Sequence, residues 1–175
     1  MLESYAPIFG QFFGLVSLVL CVLAFASKKD DRLLVLLISA NVAFALQFMA
    51  FGSWTAAALS VLVIARIALA RRYPRNLAVM AGVLAASGLA ALLTWQNWAD
   101  LPALVAMVLG TVGMFMLRGI PMRVFLGLAA LAWLVSHALV AAVGGMLAEA
   151  LVLATNLLTI YRLARVSPRY AEAVS

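Results

Sequence analysis

Residues 54–75 read WTAAALSVLVIARIALARRYPR. A tryptophan opens the run, and Arg71, Arg72 and Arg75 close it around Tyr73 and Pro74. Between those borders the only charged residue is Arg66. An apolar stretch of this length, rising about 1.5 Å per residue, nearly crosses a hydrocarbon core roughly 30 Å thick. Tryptophan collects at membrane interfaces and Lys/Arg on the cytoplasmic side. The stretch therefore reads as a transmembrane helix that starts outside and ends at the cytoplasm.

Six further stretches of the same kind flank it, giving spans near 7–26, 33–51, 54–70, 76–94, 101–117, 121–142 and 146–164. Eleven of the twelve Lys/Arg fall in every second gap: Lys28, Lys29 and Arg32; Arg71, Arg72 and Arg75; Arg118 and Arg123; Arg162, Arg165 and Arg169. The other gaps carry none. That alternation is the positive-inside pattern of seven spans, with the N-terminus periplasmic and the C-terminus cytoplasmic. The aromatics agree, with Trp54, Trp95 and Trp98 in outer loops and Tyr73, Tyr161 and Tyr170 at the inner edge.

Composition leads to the same solvent. The 175 residues are 67% hydrophobic and 10% charged, with a mean hydropathy of +1.15. A soluble domain of this size has no interior for so much apolar side chain, so the chain needs a lipid bilayer. The net charge of +6 borders the spans rather than forming a separate basic surface, so no nucleic-acid partner is expected. The basic residues are topology signals that also meet anionic head groups. Cys21 is the single cysteine, which excludes an intrachain disulfide and a thiolate metal cluster. Ala24-Phe25-Ala26 resembles a signal-peptidase site, but the preceding flank carries Glu3 and no basic residue, so the segment reads as a retained span.

All five prolines fall at span ends, where a missing N–H costs least. Loops of a few residues make consecutive spans antiparallel neighbours. The third and fifth spans are short and are expected to borrow flanking residues. The chain is one polytopic domain over 1–175. Within it, spans 1–3 and 5–7 share landmarks at offsets of 91, 92 and 91 residues: Arg32/Arg123, Gly52/Gly144 and Arg71/Arg162. Two three-span units in one orientation need an odd number of linking spans, and span 4 supplies it. The expected architecture is an all-α membrane protein with seven transmembrane helices as two parallel three-helix repeats (about 7–72 and 101–166) joined by a linker helix (about 76–94). Chance similarity of Leu/Ala-rich helices is the competing explanation.

A polar side chain in hydrocarbon needs a partner or a wet cavity, so its position marks a helix interface or a pathway. Arg66 can snorkel along its methylene stem toward Arg71, or it can bind an anion or pair with another helix. Asn156, placed opposite Arg66 at an offset of 90, is interhelical glue or a ligand contact. Asn41, Gln47, Ser60, Ser136 and Thr155 belong to the same class of mid-span polar residues. Glu149, three residues into span 7, is an interfacial carboxylate or a protonatable gate. His137 packs by hydrogen bonding or relays protons with Glu149. Trp133 packs, or offers a flat face to a substrate ring. Gly10 and Gly14 make a small-xxx-small contact face. No nucleophile stands beside a base, no carboxylates pair at one depth, and no metal or phosphate motif occurs. Neither a catalytic residue, a metal nor a cofactor is expected.

The run Trp133, Ser136-His137, Gly144-Gly145, Glu149, Asn156 and Arg162, with Gln47, Gly52 and Arg66 in the first half, resembles the YgjV family of small bacterial inner-membrane proteins. In that family a Trp-x-x-His-Asn segment precedes the same order of Gly-Gly, Glu, Asn and Arg. Ser136-His137 stands here in place of His-Asn. The three-plus-one-plus-three plan resembles the SWEET and PQ-loop group of sugar and amino-acid transporters. That likeness implies substrate contacts from a Trp on span 6 and Asn residues on spans 3 and 7, where Trp133 and Asn156 match the order and span 3 offers Arg66 or Ser60 rather than Asn. The Pro-Gln signature and hinge prolines of that group are missing, and Gly10, Gly14, Gly110 and Gly113 stand as alternative sources of flexibility.

The expectation is a bacterial inner-membrane carrier of a small polar solute. A central site would be lined by Asn41, Arg66, Trp133 and Asn156, and an outer approach or coupling path by Gln47, His137 and Glu149. A non-transporting membrane subunit or scaffold is the rival, and a homo-oligomer stays open.

Overall fold

The computed structural model describes residues 5–26 and 30–174, with side chains described over 5–24 and 35–165. Lys28 and Lys29 lie outside the described residues, as do the side chains of Arg32, Arg169 and Tyr170.

Hydrocarbon offers no hydrogen bonds, so a chain this apolar satisfies its backbone internally as helices. Seven α-helices form among the described residues: α1 (Ala6–Ala26), α2 (Asp30–Ala50), α3 (Trp54–Arg72), α4 (Leu77–Thr94), α5 (Leu101–Met116), α6 (Gly119–Leu139) and α7 (Val143–Val174). The described residues contain no strand. Six helices are long and apolar enough to cross a membrane, and α2 contributes an apolar stretch over Val35–Ala50. The fifth span does borrow residues: a 3-10 turn at Trp98–Asp100 leads into α5 and lengthens its apolar run to Trp98–Met116. Helix α7 continues past its apolar part, Val143–Arg165, through Pro168 to Val174.

Polar residues terminate the helices where the sequence turns. Asn76 accepts a hydrogen bond from the Val79 N–H (3.1 Å) at the start of α4. Asn97 and Asp100 form a reciprocal capping box before α5, and Asp100 also accepts from the Gln96 N–H (2.7 Å).

Six helices pack in a closed ring, α1–α2–α3–α5–α6–α7 and back to α1, while α4 lies outside it against α3 and α5. Helix α4 buries only Val83, Ser87 and Ala91, a stripe at spacing four, and leaves Leu89, Leu92 and Leu93 exposed. In the ring, α1 and α7 approach closely because Gly144 packs on the backbone of Gly14. Gly10 faces the Phe51 ring and Gly113 the start of α6. These glycines serve close packing.

The connections α2–α3 and α6–α7 are the same turn. In the first, the Ser53 N–H donates to the Phe48 carbonyl (2.9 Å) and the Gly52 N–H to Met49 (3.0 Å). In the second, Ala142 donates to His137 (2.9 Å) and Ala141 to Ala138 (3.0 Å). Both are Schellman turns with one left-handed residue, Gly52 (φ 73) and Ala141 (φ 53), 89 positions apart. This corrects the Gly52/Gly144 landmark. Gly144 and Gly145 lie in the first turn of α7, where the former meets α1 and the latter the His137 ring. Close approach needs those glycines, so an alanine takes the left-handed position at a cost of about 1–2 kcal/mol.

The helices that follow these turns are tied down alike. The first N–H of α3 (Trp54) donates to Gln96 Oε1 at 3.3 Å, and that of α7 (Val143) to Gln11 Oε1 at 3.1 Å. Gln11 also donates from Nε2 to the Ala141 carbonyl (2.7 Å). Each glutamine satisfies a helix N-terminal donor that has no partner within its own helix.

Candidate functional site

Inside the ring lies a cavity of about 330 Å³, walled by every helix except α4. All four residues expected to form the central site line it: Asn41 from α2, Arg66 from α3, Trp133 from α6 and Asn156 from α7. Glu149, expected in the outer approach, lines the same cavity.

Arg66 is 7% exposed. Its Cα lies twelve residues, or about 18 Å, from the start of α3. Helical side chains lean toward the N-terminus, and the guanidinium accordingly lies against α5, with Nη1 3.6 Å from the Met107 sulfur. It does not snorkel toward Arg71. A Cβ at Gly110 would come within 2.9 Å of Arg66 Cζ, so that glycine makes the room. The thioether is a weak acceptor, and Nε has no partner among the described residues.

The two asparagines are oriented by their own helices. Asn156 Nδ2 donates to the Val152 carbonyl (3.0 Å) and Asn41 Nδ2 to Leu37 (2.9 Å). A carbonyl only accepts, so in each amide the nitrogen must face it and the oxygen is the free atom. Asn156 is 5% exposed, and its Oδ1 has no partner among the described residues.

Gln47 and His137 are not on the wall. They are fully buried beyond it, nearer the ends of α2 and α6, where Gln47 faces Gly14 and His137 faces Gly145. Gln47 Nε2 and Oε1 and His137 Nδ1 have no partner among the described residues. His137 stacks on Phe48 at 4.4 Å and 20°, Phe44 lies 5.1 Å from His137, and Trp133 lies 5.8 Å from Phe48. This aromatic layer separates the cavity from the two Schellman turns. His137 and Glu149 therefore sit in different surroundings, one packed among rings and one on the cavity wall. Ser60 and Thr155 bond carbonyls of their own helices.

Sequence reasoning missed three wall residues with chemistry. Arg71 and Arg123, which the sequence marks as topology signals that also meet anionic head groups, both line the cavity, as does Cys21. Their position near span ends hid them: Arg123 lies in the second turn of α6, where a helix end faces inward as readily as outward. Among the described residues no three His, Cys, Asp or Glu side chains gather as a metal site would require.

No curated protein and no solved structure matches the chain. A family model described as a bacterial inner membrane protein matches residues 8–167, nearly the whole of the seven-helix bundle. With its apolar helices, its buried polar wall and that match, the chain belongs to the Imp-YgjV family of bacterial inner membrane proteins.

Proposed function

We propose that this protein is a carrier of a small polar solute, built from two three-helix units, α1–α3 and α5–α7, with α4 as their link. The observation that carries the reading is the makeup of the cavity wall. At the 89-residue offset of the two Schellman turns, Ala40, Asn41 and Phe44 on α2 correspond to Ala129, Ala130 and Trp133 on α6. Val63 and Ile67 on α3 correspond to Val152 and Asn156 on α7. All of them line the cavity, so equivalent faces of two units meet there. The ring order supports this, because exchanging α1–α3 for α5–α7 maps the α1–α7 contact onto α5–α3. The stacked pair Phe48 and His137 is itself an equivalent pair, 89 apart. At that offset Arg66 corresponds to Thr155, one position from the expected Asn156.

A site between two similar units that rock against each other is how alternating access works in repeat-built transporters. In this state the aromatic layer and the Gln11 and Gln96 ties hold one end closed. The cavity reaches the other end past Arg71 and Arg123. The positive-inside pattern makes that arginine end cytoplasmic, with the N-terminus in the periplasm.

The test is thermal stability of the purified protein against sugars, amino acids, nucleosides and organic acids, repeated with Arg66→Ala and Asn156→Ala. A ligand that binds the folded state raises the melting temperature by mass action. A hit that both variants lose supports the carrier. If no compound stabilises the protein, the scaffold reading replaces it.

A further inference from the structure

We propose that the cavity takes a ligand carrying a phosphate or carboxylate group beside a hydroxyl or ammonium donor, with the anion on Arg66 and the donor facing Asn156. The inference rests on the reading of this cavity as the solute site and narrows its ligand to one chemistry.

Charge comes first. Three guanidiniums, Arg66, Arg71 and Arg123, and one carboxylate, Glu149, line the wall. Low-dielectric walls focus such a field, so the cavity attracts anions. Arg71 is exposed and Arg123 half-buried, and they mark the way in. Arg66 lies deeper, five residues or about 7.5 Å before Arg71 along α3.

Donor chemistry comes second. A guanidinium carries five N–H donors in a planar fork that fits carboxylate and phosphate. In Arg66 the one recorded partner among the described residues is the Met107 sulfur, and Nε has none. Gly110 keeps α5 clear of this group. Glu149 on the same wall acts on Arg66 electrostatically, but no hydrogen bond joins the two among the described residues, so the guanidinium keeps donors open to an anion that arrives.

Acceptors complete the description. The helix-bonded amide nitrogen leaves Asn156 Oδ1 as a buried acceptor with no partner among the described residues, Asn41 adds its amide oxygen to the wall, and Glu149 adds a carboxylate. A plain anion offers these oxygens nothing. A hydroxy acid, an amino acid or a polyol phosphate offers both halves. The glycerophosphate headgroup of an anionic lipid carries the same chemistry, and the test separates the two sources.

Isothermal calorimetry on the full-length protein in neutral detergent would use glycerol 3-phosphate, inorganic phosphate, serine, glycerol and glucose as probes. Bicelles of phosphatidylglycerol and of phosphatidylcholine form a parallel arm. Glycerol 3-phosphate or serine should bind more tightly than glycerol, and the binding should weaken with salt. Arg66→Gln should weaken it about 10- to 100-fold, the range of a hydrogen bond to a charged group. Arg72→Gln, whose residue is off the wall, should leave it unchanged. Should Arg66→Gln fail to fold, Arg123→Gln carries the same comparison with a smaller loss. Binding of the soluble probes assigns a free solute. A response to phosphatidylglycerol alone supports the anion site and assigns the headgroup. Unaltered affinity in both arginine variants overturns the proposal. Binding of glucose or glycerol without any anion overturns it too, while leaving the carrier intact. Silence from every probe and lipid removes the anion site and the carrier together.

Discussion

Gly144→Ala tests the α1–α7 crossing, because one methyl group there meets backbone. A Cβ at Gly144 would lie 2.6 Å from the Gly14 oxygen and the Leu15 nitrogen, and closer still to the Gly14 carbonyl carbon. Ordinary contact needs about 1 Å more, and neither partner is a side chain that can turn away. The helices must separate. Overpacking of this kind costs about 1–3 kcal/mol. The shift also strains the two Gln11 hydrogen bonds that tie α1 to α7, worth about 1 kcal/mol each. Alanine's better helix propensity returns at most about 1 kcal/mol. The net is a loss of about 1–4 kcal/mol. On α4, Gly82 and Gly88 have nothing within 4 Å of a built Cβ, so the same substitution there should stabilise by about 0.5–1 kcal/mol. Gly14→Ala should fall between these limits, since its Cβ first meets the Gln47 amide, which has some freedom to move. Reversible denaturation in mixed micelles, followed by circular dichroism, ranks all four. If Gly144→Ala is as stable as Gly82→Ala, the helices do not cross there and the ring is wrongly closed.

Arg66→Gln removes the cation that acts on the buried Glu149 carboxylate and should cost about 1–3 kcal/mol, while Arg66→Gln/Glu149→Gln, which removes both charges, should recover it; a gain in the single variant by the same denaturation assay would show that the two charges do not support each other. Gln11→Ala should cost about 1–2 kcal/mol through the two hydrogen bonds it makes to the α6–α7 turn, and an unchanged midpoint would show that the turn is held otherwise. In a Cys21→Ala background, a cysteine placed at Lys28 should react with an impermeant thiol reagent only from the cytoplasm, and one at Trp98 only from the periplasm. The opposite pattern inverts the bundle.

The helices were legible because hydropathy and arginine spacing report the solvent and topology directly. Helix bounds agree with the sequence reading to within a few residues through α6, and the quartet Asn41, Arg66, Trp133 and Asn156 does share one cavity. Less was visible where one residue type does two jobs. Arg71 and Arg123 carry topology and also wall the site, and hydropathy sees only the first role. Gly144 looked like a turn because glycine usually is one, yet its lack of a side chain serves helix contact while Ala141 bends the chain. Gln47 and His137 share the depth trend of the site residues, but which way a helix face turns depends on packing among seven helices. Periodicity in an all-apolar helix says little about that, because lipid and core are equally greasy.

On the two-unit reading proposed above, symmetric architecture and asymmetric chemistry make separable demands on the wall. Positions 89 apart then differ in polarity: Asn41 stands against Ala130 and Asn156 against Ile67. Arg66 has Thr155 as its counterpart, a hydroxyl bonded to its own helix. A scaffold has no reason for that division, whereas an asymmetric solute needs its anion and donor recognised on opposite sides. Exchanging one pair separates the demands. The double variant Ile67→Asn/Asn156→Ile keeps wall volume and composition, so its stability should stay within about 1.5 kcal/mol of the native protein. It moves the amide oxygen from α7 onto α3, beside Arg66, and leaves an isoleucine where the ligand's donor should be met. Ligand affinity should fall at least about 10-fold, the worth of one well-made hydrogen bond to a buried acceptor. Calorimetry and denaturation on the same preparation read both quantities. If the exchanged protein binds as tightly as the native one, the amide does not orient the ligand. The polar wall would then be fixed by helix packing alone.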